Sequence, residues 1–186
     1  QDRRGNFWIG TFLGGLDFYN ARQKRFVHFK HDPENTNSLA NNTVWTLIED
    51  RKGIIWIGTD KGLDSYNPVT GQFTHYDAQV PDVQVMKLYE DRAGNIYVGT
   101  SLNGLYILTR DADVRTYDIG INTRSIYEDS KGRIWIGSNT FQGLHQFDMD
   151  EGIIRSYTTR DGLPSNQISG ILEDDHSQLW IRTGMG

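Results

Sequence analysis

One short phrase recurs along the whole chain and constrains its fold more than any other feature. It reads Gly5-Asn-Phe-Trp8-Ile-Gly-Thr11, Gly53-Ile-Ile-Trp56-Ile-Gly-Thr59, Gly94-Asn-Ile-Tyr97-Val-Gly-Thr100, Gly132-Arg-Ile-Trp135-Ile-Gly-Ser138 and Ser177-Gln-Leu-Trp180-Ile-Arg-Thr183. The aromatic anchors stand 48, 41, 38 and 45 residues apart. Self-similarity at such a period means one supersecondary unit built repeatedly, each copy burying its face against the next. Four strand-like segments per period make that unit a propeller blade.

Each unit opens on a short apolar run that ends in two acids: Val44 to Glu49-Asp50, Val85 to Glu90-Asp91, Thr123 to Glu128-Asp129 and Ile168 to Glu173-Asp174. Asp suits the first position of a type I turn, and a glycine three places on accepts the left-handed backbone that enters the next strand. The Trp-Ile-Gly-Thr segment is the second strand. Gly15, Gly62, Gly104 and Gly143 open a third, and segments such as Gln72–Tyr76 and Ile153–Tyr157 form a fourth. Paired carboxylates can perform acid–base chemistry, but one active site has no use for four copies, so the acids are assigned to turn formation. The anchor aromatics are assigned to packing between neighbouring sheets. The fold class expected is all-β, a propeller of four-stranded antiparallel blades.

Complete blades are expected near residues 44–77, 83–118 and 123–158. Residues 1–30 supply three strands of a further blade, and residues 167–183 supply two. Closing a ring from these ends would place Trp8 and Trp180 at the same point of one blade. The chain therefore reads as an incomplete array from a larger propeller, whose unpaired edges favour association.

Composition narrows the function. The chain is 37% hydrophobic and 23% charged with a net charge of −5, which suits a globular core and offers no basic stripe for nucleic acid. It contains no cysteine, hence no disulfide or thiolate metal site. No apolar run is long enough to span a membrane, and no secretory leader opens the chain. His28, His31, His75, His145 and His176 lack metal spacing; His28 and His75 occupy equivalent fourth-strand positions. No phosphate loop or nucleophile elbow is present, and no cofactor is expected.

The combination Asp-x-x-Gly-x-[Ile/Leu]-Trp-Ile-Gly-Thr-x-x-Gly-Leu, with Asp161-Gly-Leu-Pro-Ser-Asn166-Gln-Ile and Asp32-Pro-Glu-Asn-Thr-Asn-Ser-Leu39, resembles the two-component regulator propeller repeat over essentially the whole chain. The resemblance implies the periplasmic sensor region of a hybrid two-component protein of Gram-negative gut bacteria. Its remaining blades, a membrane helix, a histidine kinase and a DNA-binding regulator would lie outside this segment. It also implies an oligosaccharide ligand, homodimeric signalling through a phosphorelay, and control of polysaccharide utilisation, with no catalysis here. Departures are Tyr97 for Trp, Ser177 for the turn glycine, Arg182 for the strand glycine, and the closing Thr183-Gly-Met-Gly186. The alternatives are a sialidase-like propeller glycosidase or lyase, since Asp-x-x-Gly-x-x-Trp turns also resemble Asp boxes, and a protein-interaction scaffold.

Comparison of the repeats locates candidate ligand positions. Three residues before the closing Asp of each first strand the residue is always apolar: Leu47, Leu88, Ile126, Ile171. Five before, it is Trp45, Met86, Arg124 and Ser169; seven before, Thr43, Gln84, Asn122 and Gln167. The scaffold cannot require one residue type at positions this varied, so they can carry specificity. Asn42, Trp45, Gln84, Met86, Arg124, Asn166 and Gln167 are the ligand-binding candidates: a stacking platform, a cation with a rigid donor fork, and amides that both donate and accept.

Overall fold

A computed structural model of the chain describes residues 1–102 and 104–184; the closing Met185-Gly186 lies outside the described residues. The described chain is all-β apart from one 3-10 turn at Thr159–Asp161. Short strands are joined by Asp-, Asn- and Gly-rich turns, so every sheet is an antiparallel meander. The first contains β1 (Phe7–Thr11), β2 (Gly15–Asn20) and β3 (Arg25–Phe29). A four-stranded sheet follows with β4 (Val44–Glu49), β5 (Ile55–Thr59), β6 (Gly62–Asn67) and β7 (Gln72–His75). The next contains β8 (Val85–Glu90), β9 (Ile96–Thr100), β10 (Leu105–Leu108) and β11 (Val114–Tyr117). Then come β12 (Thr123–Glu128), β13 (Ile134–Ser138), β14 (Leu144–Asp148) and β15 (Gly152–Tyr157), and a two-stranded sheet of β16 (Ile168–Glu173) and β17 (Leu179–Thr183). These are propeller blades. The chain forms two compact units, Gln1–Leu88 and Tyr89–Gly186, with the division inside β8.

The acidic pair does two different structural jobs. Asp50 Oδ1 accepts the N–H groups of Lys52 (2.8 Å) and Ile54 (2.9 Å), while its Oδ2 accepts Trp56 Nε1–H at 2.9 Å. Asp129 and Asp174 repeat this with Trp135 and Trp180, each at 2.9 Å, and Asp2 does so with Trp8 at 3.2 Å. The carboxylate thus closes the turn and fixes the indole of the following strand. The preceding glutamate reaches to the turn of the previous repeat: Glu49 Oε2 accepts Arg3 N–H (2.8 Å), Glu128 accepts Arg92 N–H (2.7 Å) and Glu173 accepts Ser130 N–H (2.6 Å). Each of these acids is committed to a backbone donor, which supports their assignment to the scaffold.

Packing explains the glycine of the Trp-Ile-Gly-Thr phrase. A Cβ on Gly137 would overlap Ser125 and Ile168, and one on Gly58 would overlap Thr46 and Val85. The glycine lets the first strand of the following repeat lie directly against it. Arg182 departs from this rule opposite Gly170, which stands where β4 carries Thr46 and β12 carries Ser125. The small and large residues have exchanged sides. Within unit 1, Leu16, Leu39, Val44, Ile55 and Ile57 form a core against Trp8, Phe29 and Tyr66. In unit 2, Tyr97, Leu105, Ile107, Ile126, Ile136 and Phe147 form another. Tyr97 is only 1% exposed, and burial together with the Asp91 charge and hydrogen bond pushes its phenol well above the usual range. An anchor without the indole is therefore still a core anchor.

Ser177 occupies the turn position that Gly53, Gly94 and Gly132 fill elsewhere, and it has the same left-handed backbone at φ 61°. Such a conformation costs a non-glycine residue about 1–2 kcal/mol, partly offset by the greater freedom of glycine in the unfolded chain. Ser177→Gly is expected to raise stability by about 0.5–1 kcal/mol in urea titration; a neutral or negative change would show that the strain is relieved locally.

Candidate functional site

Three of the variable positions, Trp45, Arg124 and Ser169, share a backbone feature invisible in their identities. The β4–β5 ladder slips between Val44 and Thr46, the β12–β13 ladder between Thr123 and Ser125, and the β16–β17 ladder between Ile168 and Gly170. The extra residue in each β-bulge is Trp45, Arg124 or Ser169. A bulge leaves its residue out of the ladder and re-aims its side chain, a device common beside binding sites. Just upstream, a backbone bond ties this end of the first strand to the loop after the second: Asp60 N–H to Thr43 O (3.1 Å), Asn139 N–H to Asn122 O (3.0 Å) and Gly184 N–H to Gln167 O (3.0 Å). In these three sheets the bulge and the strand 2–3 loop therefore form one end, opposite the acidic turns.

In unit 1 this end is preorganised. Trp45 is 40% exposed, yet its Nε1–H donates to Asp60 Oδ1 at 3.0 Å. Gln84 Nε2–H donates to the same oxygen at 2.7 Å, and Phe12 meets the indole edge-on with centroids 6.0 Å apart. The indole is fixed in orientation while part of its surface stays open to solvent. Asp60 and Phe12 were not among the residues selected from sequence. Both lie in strand 2–3 loops, where Phe12 (72% exposed), Leu13, Leu102 and Phe141 form a series of large apolar residues in solvent. Leu13 and Phe141 hold left-handed backbones at φ 63° and 61°. A bulky apolar residue inside a glycine-punctuated turn was the signal that could have found them.

The amide candidates divide by role. Asn42 Oδ1 accepts His31 N–H at 2.8 Å and its carbonyl accepts Gly15 N–H at 2.8 Å. Asn166 does the same with Thr159 (2.7 Å) and Gly143 (2.9 Å). These two hold the connections between repeats. Gln167 Nε2–H reaches Asn139 O at 3.4 Å. Met86 is half-buried on β8, and Arg124 is half-buried with a guanidinium that makes no hydrogen bond or ion pair to a described residue. The structure thus brings together Trp45 and Gln84 in unit 1, and Gln167 with the Asn139 loop in unit 2.

A second feature of unit 1 is an open pocket of about 350 Å³ beside the Asp32–Leu39 motif, lined by His31, Thr36, Lys61, His75, Asp77 and Asp82 among others. His75 Nδ1 lies 2.7 Å from Asp64 Oδ1 and its Nε2 lies 3.0 Å from the Thr36 carbonyl. Both partners are acceptors, so both bonds form only when the ring carries two protons. Burial by itself would lower the His75 pKa; the bonds to Asp64 and Thr36 and the charges of Asp64 and Asp77 outweigh it and raise the value. Burial also pushes the Asp64 carboxyl up, against the donors Ala40 and His75. Because the His75 pKa is raised on folding, its contribution is fully present below the unfolded value near 6.5 and is lost as pH rises through the folded value. Urea midpoints are expected to fall between pH 6 and 9, and His75→Gln should flatten that fall; an unchanged slope would place it elsewhere. Among the described residues no group of His, Asp and Glu is arranged to hold a metal ion.

Comparison with known proteins gives this architecture a family. The two-component regulator propeller model matches residues 38–61, 79–102, 119–140 and 162–185. The chain belongs to the two-component regulator propeller family. A curated relative, histidine kinase P4 of Formosa agariphila, is 32% identical over 173 residues, covering 86% of this chain and 12% of its own length. The extracellular domain of the putative hybrid two component system BT3049 from B. thetaiotaomicron superposes with a TM-score of 0.80 at 29% identity, over 97% of this chain and 25% of that one. Virginiamycin B lyase from Staphylococcus aureus superposes at 0.77 with 17% identity, over 97% and 60% of the two chains, a likeness of fold alone. This propeller segment thus spans about a quarter of the BT3049 extracellular domain and a smaller share of the kinase.

Proposed function

We propose that this chain is a non-catalytic part of the periplasmic sensing region of a hybrid two-component protein and that it binds an oligosaccharide at the bulge ends of its blades. The observation that carries the reading is the Trp45–Asp60–Gln84 arrangement. There a carboxylate holds an exposed indole by its N–H, leaving apolar surface for the C–H face of a sugar ring. Neighbouring amide and carboxylate groups offer hydrogen bonds to hydroxyls, the combination that gives small-molecule sites their orientation. The scaffold role of the acidic pairs speaks against an Asp-box glycosidase, since these oxygens are engaged by backbone and indole donors. Family membership supports the signalling half of the reading: ligand binding by a homodimeric sensor, relayed by a histidine kinase to genes of polysaccharide utilisation. No helix among the described residues is long and apolar enough to cross a membrane, so the membrane connection is assigned to a helix outside this segment.

Screening a mixed oligosaccharide panel by thermal melting tests the proposal. A ligand present at a hundred times its Kd should stabilise the fold by about 2.7 kcal/mol. Absence of a shift with every plant, algal and host glycan fraction would overturn the carbohydrate reading.

A further inference from the structure

We propose that the bulge end of the β12–β15 blade is a recognition site for an anionic group, built around Arg124, and that its ligand is an acidic saccharide. The inference rests on the oligosaccharide reading above and adds the chemical class.

The repeat supplies its own control. In the β4–β7 blade the bulged residue, Trp45, finds a carboxylate partner in Asp60, the first residue after β5. The first residue after β13 is Asn139, whose N–H bonds Asn122 O as that of Asp60 bonds Thr43 O. At the place where one blade holds an acid against its bulged residue, the other holds a neutral amide. The bulged residue there is an arginine. Residues 119–127 and 138–147 contain no Asp or Glu at all. Two arginines are half-buried: Arg133 is paired with the Asp129 carboxylate at 2.6 Å, whereas the Arg124 guanidinium has no acceptor among the described residues. A partly desolvated guanidinium without a counter-ion favours an incoming anion, and its planar fork matches a carboxylate or sulfate.

Two further observations point to a saccharide rather than a simple ion. The Asn122 Oδ1 atom, two residues before Arg124, is buried and lacks a donor. Buried acceptors are normally satisfied, and an outward turn of the Asn122 amide would bring this oxygen to a sugar hydroxyl next to the anionic group. On the β13–β14 loop Phe141 is 67% exposed and held at φ 61°, a conformation unfavourable for a bulky residue. That loop is fixed by Gln142, which accepts Thr140 Oγ1–H at 2.8 Å and donates to Gly120 O at 2.8 Å. An exposed ring on a fixed loop presents a face for stacking. Cation, orphaned acceptor and aromatic are the three contacts that an acidic sugar residue needs.

The test uses tetragalacturonate, its fully methyl-esterified form and inorganic sulfate, titrated into the 186-residue chain while the Arg124 Nε–Hε signal is followed by NMR. Tetragalacturonate should move that signal saturably and bind at least tenfold more tightly than the neutral ester. Arg124→Gln should erase the preference. Asn139→Asp, which restores the acid that the β4–β7 blade has at this place, should weaken tetragalacturonate at least tenfold with the arginine intact and the melting temperature unchanged. Saturation by sulfate at lower concentration than tetragalacturonate would keep the site and assign it to sulfated sugars. Equal affinity for acid and ester, equal movement of all exposed arginines, or an unaffected Asn139→Asp variant would overturn the anion site and leave the oligosaccharide reading standing. If no saccharide perturbs any residue, both fall.

Discussion

Trp135→Ala is expected to destabilise unit 2 by about 3–5 kcal/mol in urea or thermal unfolding, the usual cost of emptying a large aromatic site. Trp135 is 5% exposed and packs with Leu144 and Ile168. Its ring centroid lies 5.9 Å from that of Tyr157, and the Arg133 guanidinium sits 5.3 Å above it. Its N–H donates to Asp129 Oδ2, while Oδ1 of the same carboxylate accepts the turn N–H groups of Lys131 and Arg133. Removing the indole therefore opens a cavity between neighbouring repeats and loosens the turn that positions β13. Trp135→Phe, which keeps most of the volume, should cost less than half as much. The repeat again contains its own comparison. Trp180 makes the same bond to its turn aspartate but is 60% exposed on a two-stranded sheet, so Trp180→Ala should cost about 1 kcal/mol, close to one net hydrogen bond. Equal losses at the two positions would mean that the turn bond, and not burial, determines the stability of the blade.

Trp45→Ala is expected to give the opposite profile. A residue 40% exposed at a bulge contributes little packing, so the melting temperature should stay within about 2 °C of the parent. Loss of the platform should weaken the stabilising oligosaccharide by about tenfold to a hundredfold, the equivalent of about 1–3 kcal/mol. Asp60→Ala should reproduce part of that loss, because Trp45 and Gln84 would lose their common acceptor while the indole itself remained. Calorimetric titration of the two variants and of Trp135→Phe decides between the assignments. Normal binding by Trp45→Ala would remove the bulge end of unit 1 from the recognition surface.

The strand order, the turn aspartates and the buried anchors were legible in the amino-acid sequence because the same physical demand is met four or five times. A turn that needs Asp, a left-handed position that favours Gly, and an inter-strand approach too close for a Cβ all leave the same residue in each copy. Positions free of those demands stand out by subtraction, and Trp45, Gln84 and Arg124 are among them. What subtraction could not show is why those places are free. The β-bulge is a property of the ladder between two strands, and it places Trp45 and Arg124 outside the hydrogen-bonding register whatever their side chains are. Nor could spacing reveal that Asp60 and Gln84, 24 residues apart, meet at one oxygen, or that Asn42 and Asn166 turn their carbonyls to backbone N–H groups of the connecting loops. Local sequence determines which turns and strands form, because those depend on neighbours a few residues away. The partners available to a variable side chain depend on strands and loops brought close only by the folded blade, and that selection was made by the tertiary structure.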